Sequence, residues 1–507
     1  MELLNKLSWP LVRFIAPKYP EVNIFTKVKI TPLGLVSVAT VASKIWGMRV
    51  EIIDENNYIG PRQNGLPDHE TLQKENPAAF VGFYCGLSST IDRVFELAKF
   101  YRSCGVKNIA GGWHAHYNPD EMLTNNFDVV VHGDGEPVIA QILKAFLQKQ
   151  GFSGVAGVSY LENNRKKTNS PDMLELPQLD DLPCPDFGLL HYAGKVSVYP
   201  IGRVRGCRFN CEFCSVKGKP RSCSPEHLFE VVQNLVQSRK AKHFFIVDDR
   251  LEENSDEILQ FFRLIYERFG NELNFTVQIR LETARNLPLL AAMRKAGVRM
   301  ACVGFESPID EDLKTMHKAY TSRDMVALAL TLRKYFWVHG MFIFGYPNQT
   351  ESLLGAKEKA VRFKKFIRAA RLSSVQILHP ITLTGTQLRA RIEKEGRNFP
   401  LNVVPWSKYD GNYAVFSPRD MTLKEFQETP IKLMRWFYPS LSFLKIPIWT
   451  LIFPLHFIFL GWNHWFYNWW REIVKYGGHR IIVQWNKNKE NRKFFQRLSD
   501  YQKGMSA

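Results

Sequence analysis

Gly206-Cys207-Arg208-Phe209-Asn210-Cys211-Glu212-Phe213-Cys214 follows directly on the apolar run Ser197–Ile201. Three cysteines fall within eight positions, in the spacing Cys-x3-Cys-x2-Cys. Thiolates that close in sequence can each hold one iron of a cubane [4Fe–4S] cluster, with the fourth iron left open for a small chelating ligand. Zinc is the alternative metal. A structural zinc site wants four ligands, and no fourth Cys or His stands at the usual spacing. The chain has eight Cys in 507 residues, so it is no disulfide scaffold. Clustered cysteines suit a metal centre assembled in a reducing cytosol.

Outward from this loop the chain alternates strand and helix patterns. Between residue 196 and about 390, strand-like runs lie at Ser197–Ile201, His243–Asp248, Asn274–Ile279, Met300–Phe305, His339–Phe344 and Ser374–Leu378. Helical patterns separate them, which predicts a partial parallel (β/α)6 barrel with its chemistry at the C-terminal ends of the strands. Upstream, strands at Arg49–Asp54, Ala79–Cys85, Asn108–Trp113 and Phe127–His132 alternate with helices at 31–44, 90–104 and 137–150. That rhythm predicts an α/β, doubly wound (Rossmann-like) sheet. The expected division is 1–155 for this domain, 156–195 for a Pro-punctuated linker, 196–395 for the barrel and 396–507 for a helical, aromatic-rich C-terminal region.

The cysteine loop resembles the signature of the radical SAM superfamily, Cys-x3-Cys-x-aromatic-Cys, with Phe213 in the aromatic place. The resemblance implies that Cys207, Cys211 and Cys214 hold the cluster. It also implies that the open iron binds S-adenosylmethionine, which is cleaved to a 5′-deoxyadenosyl radical. Weaker matches follow in order along the barrel. Val247-Asp248-Asp249 stands where the family has a Gly-Gly-Glu-like turn, and Asp248 is the expected acceptor for the methionine ammonium. Arg280 is either a clamp for the methionine carboxylate or an ordinary surface arginine. Gly304-Phe305-Glu306-Ser307 looks like the ribose-binding step. Gly340-Met-Phe-Ile-Phe-Gly345 looks like the glycine step that admits adenine, and Pro380–Thr386 like the turn after the sixth strand.

The upstream segment resembles the cobalamin-binding domain of B12-dependent radical SAM enzymes. The matching places are Thr31-Pro-Leu-Gly34-Leu, Val50–Asp54, Gly111-Gly112-Trp-His114 and His132-Gly133-Asp134-Gly135-Glu136. Gly34, Gly111, Gly112, Gly133 and Gly135, together with Ser88, are therefore expected to face a corrin. The chain has no Asp-x-His-x-x-Gly, so no histidine is expected on cobalt. A degenerate domain without cofactor is the other reading.

The net charge is 67 − 49 = +18, which favours anionic partners without choosing among nucleic acid, membrane and phosphorylated substrates. Residues 446–470 contain no Lys, Arg, Asp or Glu but five Trp, and 471–507 carry nine Lys/Arg against three Asp/Glu. A monotopic or re-entrant membrane anchor is expected; a buried lid or a marginal span would use the same residues. The N-terminus carries no signal-peptide pattern, so a cytoplasmic protein at the inner face of the membrane is expected. Cobalamin-dependent methylation of an unactivated carbon in a lipophilic substrate is the leading function, with a flavodoxin or ferredoxin as electron donor. Radical cyclisation, oxidation or carbon–carbon coupling is the alternative. A tRNA methylthiotransferase-like role lacks the second Cys cluster and the RNA-binding barrel that class carries, so nucleic acid is not the expected partner.

Overall fold

The computed structural model describes residues 9–20, 29–348, 354–453 and 462–505. Two sheets organise it. The first has seven strands: β1 (Leu11–Ala16), β2 (Arg49–Asp54), β3 (Ala78–Tyr84), β4 (Lys107–Gly111), β5 (Val129–Val131), β6 (Val158–Glu162) and β7 (Arg165–Thr168). Their order is β2-β1-β3-β4-β5-β6-β7. The first five are parallel, and β6 and β7 are antiparallel additions. Helix α1 (Leu33–Ser43) carries the chain from β1 to β2, after which it crosses back over β1 to β3. A doubly wound sheet binds ligands where its order reverses, here at the C-terminal ends of β1 and β3.

Strand β1 is buried along its whole length and pairs on both edges. It was not among the strands expected from the sequence. Its central place explains a buried arginine: Arg13 bonds to Glu51 on β2 (2.5 Å) and to Tyr101 (3.0 Å), so the charge is compensated. The segment expected to begin a linker at 156 instead adds the β6–β7 hairpin to the sheet. Asn163 and Asn164, at φ 50° and 59°, make its two-residue turn.

The second sheet has six parallel strands in sequential order: β8 (Tyr199–Ile201), β9 (His243–Ile246), β10 (Asn274–Ile279), β11 (Val298–Glu306), β12 (Trp337–Ile343) and β13 (Ser374–Leu378). No pairing joins β8 to β13 among the described residues, so the barrel is partial. Burial alternates along β12 and, from Met300 on, along β11, with apolar residues such as Ala301, Val303 and Phe342 buried. Helix α2 (Leu423–Phe437) packs beside β13, and α3 (Ser442–Leu451) and α4 (Trp462–Lys487) follow. No helix among the described residues is long and apolar enough to cross a membrane. The middle of the charge-free stretch, 454–461, lies outside the described residues.

Candidate active site

Backbone clamps shape the cysteine loop. It leaves β8 through a short antiparallel pair, Val204–Arg205 with Arg221–Ser222. The Asp248 carboxylate accepts from the amides of Arg203 (2.5 Å) and Val204 (3.0 Å), and Asp249 accepts from Gly206 (2.6 Å). Glu212, buried between two cysteines, takes both arms of Arg391 (2.7 and 3.0 Å) and the Tyr346 hydroxyl (2.5 Å). Lys217 donates to the Cys211 carbonyl (2.8 Å). Burial pushes the Cys214 thiol above its ordinary value, and neighbouring Cys211 and Cys207 push the same way. Cysteine binds a metal as the thiolate, whose charge the metal offsets. The donor set fits a cubane with one thiolate at each of three irons.

Around the loop stand the groups that could hold a zwitterionic ligand. The Arg280 guanidinium lies over the Phe209 ring at 3.5 Å and bonds to Glu282 (2.5 Å). Glu306 sits at φ 61°, a left-handed conformation uncommon for a residue with a side chain, and pairs with Lys318 (2.9 Å). Burial opposes the charge on Lys318, but Glu306, Tyr320 and Cys211 together outweigh it and the ammonium is held charged. Lys318 also lies 5.5 Å from the centre of the Phe213 ring. A carboxylate-binding cation here was expected at Arg280; nothing in the sequence pattern singled out Lys318, which reaches the loop only through the fold.

Three expected contacts have other tasks. Asp248 is buried, its pKa pushed up to about 6 by that burial, and one of its oxygens holds the two amides above. That oxygen shapes the loop, while the other, Oδ2, is buried without a hydrogen-bond partner among the described residues. Ser307 is buried and donates to Asp312 (2.6 Å), anchoring the turn after β11. Gly345 has φ 71°, and a Cβ there would meet the Phe426 ring of α2 at 2.5 Å. Its missing side chain admits an aromatic of this chain.

A cavity of about 580 Å³ opens at the switch point of the first sheet. Its floor includes Phe14 on β1 and Gly82 on β3, and its far wall comes from the barrel domain: Arg205, Lys219 and Arg221. Gly34, Gly111, Gly112, Gly133 and Gly135 all line it. A Cβ at Gly34, Gly111 or Gly133 would meet nothing within 4 Å. The other two serve the protein: a Cβ at Gly112 would meet Gly86 N at 2.7 Å, and one at Gly135 would meet Val38 at 2.9 Å. Arg205 bridges Asp134 (3.0 Å) and Glu136 (2.8 Å), and Arg221 also pairs with Asp134, so the 132–136 loop is clamped to the strand leading into the cysteines. Size, open space above glycines and a largely apolar floor fit a corrinoid.

Of the nearby histidines, His116 lines this cavity. Its buried Nδ1 has no hydrogen-bond partner among the described residues, and burial lowers its pKa. His114 bonds to Ser88 (2.9 Å) and Glu121 (3.1 Å), and His132 to Ser159 (2.7 Å). Ser88 lines an adjoining cavity of about 170 Å³. This smaller space shares Gly86 and Trp113 with the larger one and reaches Ser215, next to Cys214. It is closed on one side by the 380–386 turn, whose Gly385 (φ 77°) packs on the Tyr117 ring.

Removing Glu212 should be costly. In Glu212→Ala the half-buried Arg391 and buried Tyr346 lose their partner. A loss of about 3 kcal/mol is expected, the low end for breaking a buried pair. Thermal unfolding followed by circular dichroism should show a lower transition, with Glu212→Gln between the two.

The sequence model of the radical SAM superfamily matches residues 201–356. An uncharacterised methyltransferase of Pyrococcus horikoshii is 28% identical over 70% of this chain and 77% of its own length. An anaerobic magnesium-protoporphyrin IX monomethyl ester cyclase of Cereibacter sphaeroides is 23% identical over 67% of this chain and 56% of its own. Among solved structures, the radical S-adenosylmethionine methyltransferase TsrM of Kitasatospora setae, with cobalamin and a [4Fe-4S] cluster bound, aligns with a TM-score of 0.68. It covers 94% of this chain and 99% of its own at 15% identity, a likeness of fold.

Proposed function

We propose that the chain, whose residues 201–356 match the radical SAM superfamily, is a cobalamin-dependent methyltransferase acting on a lipophilic or membrane-held substrate. One observation carries the reading: a corrin-sized cavity and a cysteine loop face a common small space, the first sharing Gly86 and Trp113 with it and the second reaching it through Ser215. When bound, the cluster with S-adenosylmethionine supplies a hydrogen-abstracting radical, and the corrinoid supplies a methyl group. The protein's own share is placement. Cys207, Cys211 and Cys214 would hold the cluster. Arg280, Glu306 and Lys318 would orient the methionine and ribose groups. The Arg205–Asp134–Glu136 clamp holds the two cofactor domains in register, so that a substrate carbon meets both in turn. Trp113 and Tyr117, nearly parallel at 6.1 Å, wall the small space.

Anaerobic reconstitution tests this. A corrinoid spectrum, 5′-deoxyadenosine formation and methylated products from membrane lipids are expected. Cyclisation or oxidation without methyl transfer is the second reading, favoured by the likeness to the cyclase. A label carried on the methyl group of S-adenosylmethionine separates the two, since only a methylase transfers it to product.

The membrane reading rests on α3 and the start of α4. Leu444, Ile448 (53% exposed) and Leu451 (79% exposed) recur along α3, and Phe466 and Trp470 are exposed on α4. Lys445 lies among them, and the basic 471–507 tail follows. Exposed apolar residues so grouped mark an interaction surface, and each basic side chain near an anionic leaflet adds about 1 kcal/mol. The protein should float with anionic liposomes at low salt and be released as salt rises. Ile448→Lys with Leu451→Lys should weaken that binding by roughly tenfold or more, since each apolar side chain contributes about 1.5–3 kcal/mol on burial. Equal flotation of wild type and the double variant would exclude this face.

A further inference from the structure

A third cavity, of about 180 Å³, lies where the barrel is left open after β13. Its barrel side is His339 on β12 with Val375, Gln376 and Leu378 on β13; its outer wall is Ile431 and Met434 on α2 and Ile482 and Trp485 on α4. Asp410 stands at its end and also lines the small space beside the cysteine loop, so the two cavities adjoin along the 409–412 segment. Gly411 keeps that segment close to β13: its carbonyl accepts from His379 N (2.7 Å), and a Cβ would meet Leu378 at 2.9 Å.

The wall chemistry narrows the occupant. Most of the lining is aliphatic or aromatic, and the one imidazole is uncharged at neutral pH, since burial brings His339 down to about 4. Gln376, Asp410 and Asn412 are polar, but Asp410 already accepts from Asn412 (2.8 Å), and the larger part of the wall offers a hydrated ligand nothing to replace its water. The indole of Trp485 lines the space, is 7% exposed, and its buried Nε1–H has no acceptor among the described residues. Buried donors left unpaired are rare in native proteins. That atom is closed to solvent, so the apolar wall alone defines the occupant. The outer wall is built from α2 and α4, and α4 also packs on α3, which carries the exposed apolar face.

We infer that this cavity receives the apolar part of the substrate, an aliphatic chain or fused ring, while the carbon to be modified lies in the adjoining space beside the cysteine loop. The inference rests on the reading of a radical methylase with a lipophilic substrate. It makes α2 and α4 a specificity wall that selects substrates by the length and width of their apolar body. The cysteine loop then meets only what this wall admits.

The test uses the full-length protein and a photoreactive diazirine derivative of hexadecanol, without liposomes. Mass-spectrometric mapping should find the label on peptides spanning 431–438 and 478–485. Ile482→Trp, which fills the space, should lower labelling there roughly tenfold. Leu147→Lys, at an exposed leucine of the first domain, should leave it as in wild type. Iron content and the thermal transition report whether each variant is folded; if Ile482→Trp is not, Met434→Trp takes its place. Label confined to α3, or labelling undiminished in a folded cavity-filling variant, overturns the inference. A failure of the underlying reading looks different: no corrinoid spectrum and no 5′-deoxyadenosine, whatever the label marks.

Discussion

Cys211→Ala protein, purified and reconstituted anaerobically, should carry little iron and form no 5′-deoxyadenosine above background. With one thiolate gone the cubane keeps two protein anchors, too few to hold it against loss to solvent. The fold should survive. The loop's shape comes from Glu212 with Arg391 and Tyr346, from the Asp248 contacts with the amides of Arg203 and Val204, and from Asp249 at Gly206. None of these uses the Cys211 thiol. Cys207→Ala and Cys214→Ala should behave the same way. Cys104→Ala, at an exposed thiol elsewhere on the surface, should keep full iron and full cleavage. Iron near four per chain in Cys211→Ala would overturn the assignment of the triad.

The second large effect is expected at the corrin cavity. Gly34→Phe and Gly111→Phe should each weaken corrinoid binding by roughly tenfold to a hundredfold, the range that forced overpacking produces. Both positions line the cavity, and a Cβ at either meets nothing within 4 Å, so the new ring enters the ligand's space rather than the protein's. Circular dichroism should be unchanged. Gly154→Phe, also open around its Cβ but away from the cavity, is the control and should bind as wild type. Gly112→Ala should instead damage the fold, because φ is 115° there and the methyl would strike the Gly86 amide. Titration of hydroxocobalamin followed by its absorption spectrum reads all four. Equal affinity in Gly34→Phe and Gly111→Phe would remove the corrinoid from this cavity.

The expected strands and the structure part company in particular places. The barrel rhythm was legible because each step is a short apolar run followed by an amphipathic helix. β1 was not legible as a strand: six residues behind Trp9-Pro10 read as an N-terminal tail, and only pairing with β2 and β3 makes them the centre of a sheet. The β6–β7 hairpin did carry a signal, the Asn163-Asn164 turn, lost among the Pro-rich residues that follow.

Sequence by itself determined the chemistry that depends on local spacing. Three thiols in eight positions lie on one loop in any fold that follows a strand with a turn, and glycines at strand ends leave room above a sheet whatever lies beyond. Direction is not local. Asp248, Ser307 and Gly345 stand at their expected places in the chain, but their outlook depends on Arg203, Asp312 and Phe426, each brought near by distant elements. The same holds for Lys318 beside Phe213 and for Arg205 beside Asp134 and Glu136. A side chain's task is set by what it touches once water has been excluded, and those neighbours exist only when the two sheets and the C-terminal helices have packed.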